Sequence, residues 1–182
     1  MSWSIFKSQL LVGIQSYSYG NDINQFAKQF TASYDLAIRT GGDTINGVSV
    51  IKGNTVLMET TLLSIIQQTQ LSNNRTLLDS IGPAIISYWV GVEFSKIPPL
   101  IPAIGAISNI TTLNGLVIST GKWTPLPVLP NTNSNTFLDA FINSANIHLS
   151  TLSGIFTVLA QYPPPAPPAT GIVNWTGYKV IG

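Results

Sequence analysis

Two proline-dense segments fix where regular structure in this chain must stop. Ile97 to Gly105 holds Pro98, Pro99 and Pro102 among apolar or small residues, and a later run holds Pro163, Pro164, Pro165, Pro167 and Pro168. Proline locks φ, lacks an N–H donor and pushes the residue before it out of the helical region. The first segment therefore reads as an extended boundary between a helical region over 1–96 and a second region over 97–182, the two forming one compact domain. The second reads as a polyproline II arm that orders at little entropic cost and ends in a strand over Ile172 to Ile181. Such an arm can add to a neighbour's sheet edge or fold back over its own subunit, because both use the same residues.

Before the first proline segment the pattern is helical. Ile23, Phe26, Ala27, Phe30, Tyr34, Ala37 and Ile38 recur at intervals of three and four, with Asn21 or Asp22 as a cap and Gly41 and Gly42 as a stop. Val48 to Ile51 reads as a short strand, and Gly53 and Asn54 as a turn. Asn54 or Thr55 then caps a helix to about Leu71 that is apolar almost all round and so is expected to be buried between layers. A third helix from Thr76 to about Phe94 must kink or split at Gly82-Pro83.

Beyond the boundary, Ala106 to Thr111 and Leu116 to Thr120 read as two short strands joined at Asn114-Gly115, a hairpin turn signal. A long late helix is expected from Thr136 to about Gln161, with Phe137, Phe141, Ala145, His148, Leu149, Leu152, Phe156 and Leu159 on one side. The fold class is therefore α+β: a helical N-terminal half, a small β-hairpin or sheet element, a long late helix and the proline-rich C-terminal arm.

Charge narrows the function classes. Lys, Arg, Asp and Glu make up 8% of the chain, against about 25% in a typical soluble domain. On a surface on the order of 8,500 Å² that is roughly one charge per 570 Å², about a third of ordinary density. A surface so poor in charge is expected to meet other protein. With a net charge of +1 and no basic run, the chain lacks the electrostatic footprint that phosphate backbones need, so direct nucleic-acid binding is not expected. No stretch of about 20 residues is free of charges and polar clusters, so no membrane span is expected. The first eleven residues lack the charged leader and cleavage site of a signal peptide, and the Asn-x-Ser/Thr matches at Asn74, Asn109 and Asn174 read as chance in an Asn- and Thr-rich chain.

Catalytic chemistry has little to work with. Cysteine is absent, so disulfides, thiolate metal sites and cysteine nucleophiles are excluded. His148, the single histidine, has no carboxylate on adjacent turns and reads as a packed or surface residue. Asp35 and Arg39 form an i,i+4 helix pair, and Asp43 after Gly41-Gly42 reads as a turn cap because a calcium loop needs more oxygen ligands in phase. Nothing places Glu59 and Glu93 at the separation that glycoside hydrolysis demands, and no glycine pattern cradles phosphate. The reading is a non-enzyme with no catalytic, cofactor or metal site.

The aromatics leave two readings open. Trp3, Trp89, Trp123 and Trp175, with several tyrosines and abundant Asn, are the residue types of a sugar-stacking platform, whereas Trp175 and Tyr178 near the terminus also fit interface anchors. The contact residues expected are Pro98, Pro99, Pro163, Pro164, Pro165, Pro167, Pro168, Trp175 and Tyr178.

The string from Tyr34 to Asp43, the Gly53-Asn54 turn and Met58-Glu59 resemble small virion structural proteins of contractile-tailed bacteriophages. The resemblance extends through Tyr88-Trp89, Pro98-Pro99, Ser108 to Thr111, Gly171-Ile172-Val173 and Trp175, and so spans most of the chain. It implies a structural subunit of the tail, neck or baseplate kind, located in the virion, without enzyme activity or cofactor. Its partners would be copies of itself and other virion proteins. Virion subunits are commonly arranged in rings around a symmetry axis. The competing class is a carbohydrate-binding or host-attachment module with a glycan as partner.

Overall fold

The computed structural model describes residues 3–15, 22–45, 47–69, 74–95, 109–161 and 169–180. The fold is α+β, with six helices and three small antiparallel sheets among those residues. Helix α1, Trp3–Gln15, is an element the proline and charge patterns do not announce. It buries Trp3, Phe6 and Leu10, a spacing of three and four that puts all three on one face. Helix α2, Ile23–Ile38, follows its expected stripe and buries Ala27, Phe30, Tyr34, Ala37 and Ile38. Its cap is Asp22, whose carboxylate accepts hydrogen bonds from the backbone N–H groups of Asn24 (2.9 Å) and Gln25 (3.2 Å).

Strands β1, Gly41–Asp43, and β2, Val50–Lys52, come next, and Asn54 caps helix α3, Thr55–Thr69, through Leu57 N–H at 3.1 Å. This helix is not buried all round. Met58 and Leu62 face the core, whereas Val56 and Leu57 stand in solvent. The helix in which Gly82-Pro83 sits is split: α4, Asn74–Ser80, and α5, Gly82–Tyr88, are separated at Ile81. Pro83 occupies the first turn of α5, where a missing N–H costs nothing. The run ends at Tyr88, earlier than expected, and β3, Glu93–Phe94, pairs antiparallel with β2.

Two expectations for the second half are corrected, and a question that the sequence leaves open is decided. First, the two short strands are one strand, β4, Asn109–Ser119, and Asn114-Gly115 lies inside it. A side chain at Gly115 would come 2.5 Å from the Phe94 ring, so the glycine serves a close approach rather than a turn. Second, the late helix α6, Ser134–Ser150, capped by Asn133, stops well short of Gln161. Ser153–Gln161 is strand β5. Phe156 and Leu159 continue the helical spacing of Leu149 and Leu152, yet the period of two wins because Gly154 and Phe156 both pack inward against Trp175. A methyl at Gly154 would lie 2.1 Å from the Leu116 carbonyl oxygen. Third, of the two courses open to the C-terminal arm, its described strands take the return to their own subunit. Strand β6, Ala169–Thr176, pairs antiparallel with β5, and β7, Tyr178–Val180, pairs with β1.

The larger sheet has the order β4-β5-β6. Asn109 opposes Gln161 and Ala160 opposes Ala169, so the start of β4, the end of β5 and the start of β6 share one end of the sheet. The proline segments adjoin that end in the chain and themselves lie outside the described residues.

One aromatic core ties the halves together. Phe141 of α6 has ring centroids of Phe6 at 5.1 Å, Phe30 at 5.0 Å, Tyr34 at 6.3 Å, Trp3 at 6.5 Å and Trp123 at 5.7 Å. Tyr34, Tyr88, Trp89 and Tyr178 then form a chain of edge-on contacts toward β7. The sheet is anchored through Phe94, Phe156 and Trp175, which pack on one another at 5.1 to 5.9 Å.

Candidate functional site

Of the expected contact residues, Pro98, Pro99, Pro163, Pro164, Pro165, Pro167 and Pro168 lie outside the described residues. Trp175 and Tyr178 are described and are not surface anchors. Trp175 is 0% exposed and Tyr178 3% exposed. The reason is the inward turn of β6 and β7: Trp175 stacks on Phe156 at an interplanar angle of 20°. The Tyr178 hydroxyl donates to Ile38 C=O at 2.8 Å and accepts from Val50 N–H at 3.0 Å, and burial raises its pKa. Tyr178→Phe leaves a buried N–H and a buried C=O without their partner. The expected cost is about 1–3 kcal/mol of unfolding free energy, measured by denaturant titration, and an unchanged midpoint would refute this role.

The sugar-platform reading needs a ring face open to solvent. Trp3, Trp89 and Trp175 are buried. Trp123 is half-buried over Phe141, and its indole N–H donates to Leu78 C=O at 3.0 Å. None of the four is placed as a stacking platform.

Several titratable groups serve the fold. Asp43 is buried, and its carboxylate accepts from Ile45 N–H at 3.1 Å and Val48 N–H at 2.7 Å, the turn-capping role its sequence position indicates. Asp35 does more than pair with Arg39 on a helix surface. It accepts from Arg39 Nε at 2.8 Å and from the Tyr88 hydroxyl at 2.7 Å, tying α2 to α5. Burial and the Asp35 charge together hold the Tyr88 hydroxyl protonated. Glu93 pairs with Lys52 at 2.8 Å across β2 and β3. A shallow groove of about 540 Å³ between α2 and α3 is lined by Lys28, Asp35, Arg39 and Glu59, whose opposite charges balance and give no net field toward an ionic ligand. Among the described residues no group of three or more His, Asp or Glu side chains is placed to hold a metal ion. No helix among them is long and apolar enough to cross a membrane.

His148 is fully buried and packed, with Nε2 2.7 Å from Thr120 C=O. That contact assigns the proton to Nε2 in the neutral ring. Burial lowers its pKa below 6.5, against the opposing pull of the Thr120 carbonyl. A folded-state pKa below the unfolded value means the unfolded chain takes up the proton first. The stability contributed by neutral His148 is thus complete above the unfolded pKa and is lost as pH falls below it. The denaturation midpoint is expected to drop between about pH 7 and about pH 5, and His148→Gln should flatten that drop. Equal slopes for both proteins would count against it.

Exposed apolar side chains occur at several places, among them Val12, Val56 and Leu129, and the outer face of the β4-β5-β6 sheet is set apart from these by its lack of charge. No Lys, Arg, Asp, Glu or His occurs in any of its three strands. Phe156, Val173, Gly154 and Trp175 face the core in register, which turns Ile155, Thr157, Ile172 and Asn174 to the other side. On that side Leu116 is 57%, Ile118 65% and Ile172 68% exposed. Single exposed apolar residues are ordinary, but three on one uncharged sheet mark a surface suited to protein contact. Alternation in strands carries the signal for this face. The reading of Thr136 to Gln161 as one helix conceals it.

Comparison with protein-family models, with curated proteins and with solved structures found no match to this chain.

Proposed function

We propose that the chain is a structural subunit of a phage virion, of the tail, neck or baseplate kind, that acts through protein-protein contacts with copies of itself and with other virion proteins. The observation that carries the reading is the uncharged, partly apolar outer side of the β4-β5-β6 sheet on a chain of which only 8% is charged. A face of that composition loses little by leaving water and gains by burial. The virion part of the proposal rests on the resemblance of the Tyr34 to Asp43 string and the later motifs. The proline-rich segments, which adjoin one end of that sheet in the chain, extend the proposed contact zone.

A carbohydrate-binding or host-attachment module is the weaker reading, because Trp3, Trp89 and Trp175 are buried and Trp123 spends its N–H inside the fold. Light scattering coupled to size exclusion, run across protein concentration, tests the proposal. A discrete oligomer, or a precipitate relieved only by a co-expressed virion partner, is expected. A soluble monomer at high concentration contradicts it and directs attention to glycan screening.

A further inference from the structure

We infer that the free edge of β6 pairs antiparallel with the same edge of a second copy of this chain, about a twofold axis at Ile172. The inference rests on the subunit reading and names the partner for one surface of it.

The sheet has two edges, β4 and β6, and among the described residues no strand pairs with the outer side of either. They differ in fitness for addition. The β4 ladder shifts register between Thr112 and Asn114 and again between Val117 and Ser119. Irregularities of this kind twist an edge and discourage a further strand. The β6 ladder runs without a break from Ala160 opposite Ala169 to Ser153 opposite Thr176. Its eight residues include no proline and no charge, the two commonest edge protections.

Backbone direction shows which groups await a partner. Gly177 N–H donates to Leu152 C=O at 2.7 Å, on the β5 side. The C=O of Thr176, in the same peptide, therefore points away from β5, where the Thr44 hydroxyl donates to it. Alternation along the strand then turns the N–H and C=O groups of Asn174, Ile172 and Thr170 to the free edge. Ile172 is the middle one of the three. A twofold axis at Ile172 sets Ile172 opposite its own copy and Thr170 opposite Asn174, so every one of these outward groups is paired.

The absence of charge selects a second copy as occupant. A twofold axis places each residue near its own kind, and a charged strand would face like charge across the axis. On the outer face the exposed Ile172 side chains of the two copies meet, joining two uncharged faces into one six-stranded sheet. One strand edge alone covers less than the about 800 Å² per partner of a standard interface. The pairing is therefore reversible and concentration-dependent unless other contacts in an assembly support it.

The test compares full-length wild type with Ile172→Lys and Asn174→Pro by sedimentation equilibrium over a concentration series, with far-ultraviolet circular dichroism as the fold control. Ile172 is exposed, so lysine is tolerated by the single subunit but sets like charges together at the axis. Asn174→Pro removes an outward N–H without breaking the β5 ladder, the one placement a strand allows. The expected result is a wild-type mass that rises from one chain to two, and dissociation constants raised at least about 100-fold in both variants. Amide exchange should also slow at Thr170, Ile172 and Asn174 as the wild type is concentrated. Folded variants that associate like wild type overturn the β6 edge and leave the subunit reading standing. A wild type that remains monomeric throughout overturns both. Should either variant misfold, unprotected wild-type amides at these three positions in the associated state overturn the edge.

Discussion

Phe141→Ala is expected to cost about 3–5 kcal/mol of unfolding free energy, the range for removing a fully buried phenyl ring. Phe141 is where three helices meet. Its ring stacks on Phe6 of α1 at 24° and takes the edge of Phe30 of α2 at 77°, while Trp123 covers it from the loop before α6. Alanine removes the dispersion contacts of all these rings at once, and they are held by separate helices that collapse inward only in part. Domains of this size hold on the order of 5–15 kcal/mol, so the variant approaches the threshold of folding. Denaturant titration followed by tryptophan fluorescence measures it. A loss below about 1 kcal/mol would show that the helical layer does not pack around this ring.

Trp175→Ala has a similar expected magnitude, about 3–5 kcal/mol, and a different location. Trp175 joins the β4-β5-β6 sheet to the body of the protein through Phe94 at 5.4 Å and Phe156 at 5.9 Å, and it lies over the bare backbone of Gly154. The substitution should loosen the sheet before the helices. Amide exchange over Ser153–Gln161 and Ala169–Thr176 should accelerate more than exchange in α2 and α6. The sugar-platform and interface-anchor readings of the same residue predict a folded protein with full stability and only a lost ligand or partner. Unchanged stability in Trp175→Ala would favour them and contradict the core placement.

Those two residues mark the limit of what the sequence disclosed. The α2 stripe, the Asp22 and Asn54 caps, the break at Gly82-Pro83 and the turn role of Asp43 are local matters, governed by side chains within a few residues of one another. Each was legible for that reason. Helix α1 carries a readable signal in Trp3, Phe6 and Leu10, one that an inspection for a leader sequence passes over.

The second half is governed by contacts between distant segments. Leu149, Leu152, Phe156 and Leu159 keep a helical interval across the point where helix gives way to strand. Only the arrival of Leu116 and Trp175 against Gly154 decides for the strand. Asn114-Gly115 has the composition of a turn, and only the Phe94 ring shows why a glycine is needed in mid-strand. The direction of the C-terminal strand was open in the same way. Its residues suit any sheet edge, and β5 with β1 supplies edges in its own chain. The uncharged sheet was visible only in part: the shortage of charge can be counted, but the face on which it is concentrated appears once β5 is recognised as a strand.

The central claim, a proposal, is that this surface serves contacts inside a virus particle, and the most direct test is quantitative mass spectrometry of gradient-purified phage particles recovered from cultures that express the chain from its native gene. The account predicts the protein in the particles at a fixed ratio to the other structural proteins, retained after washing in high salt because uncharged contacts are not screened. A protein abundant in infected cells yet absent from purified particles would contradict it.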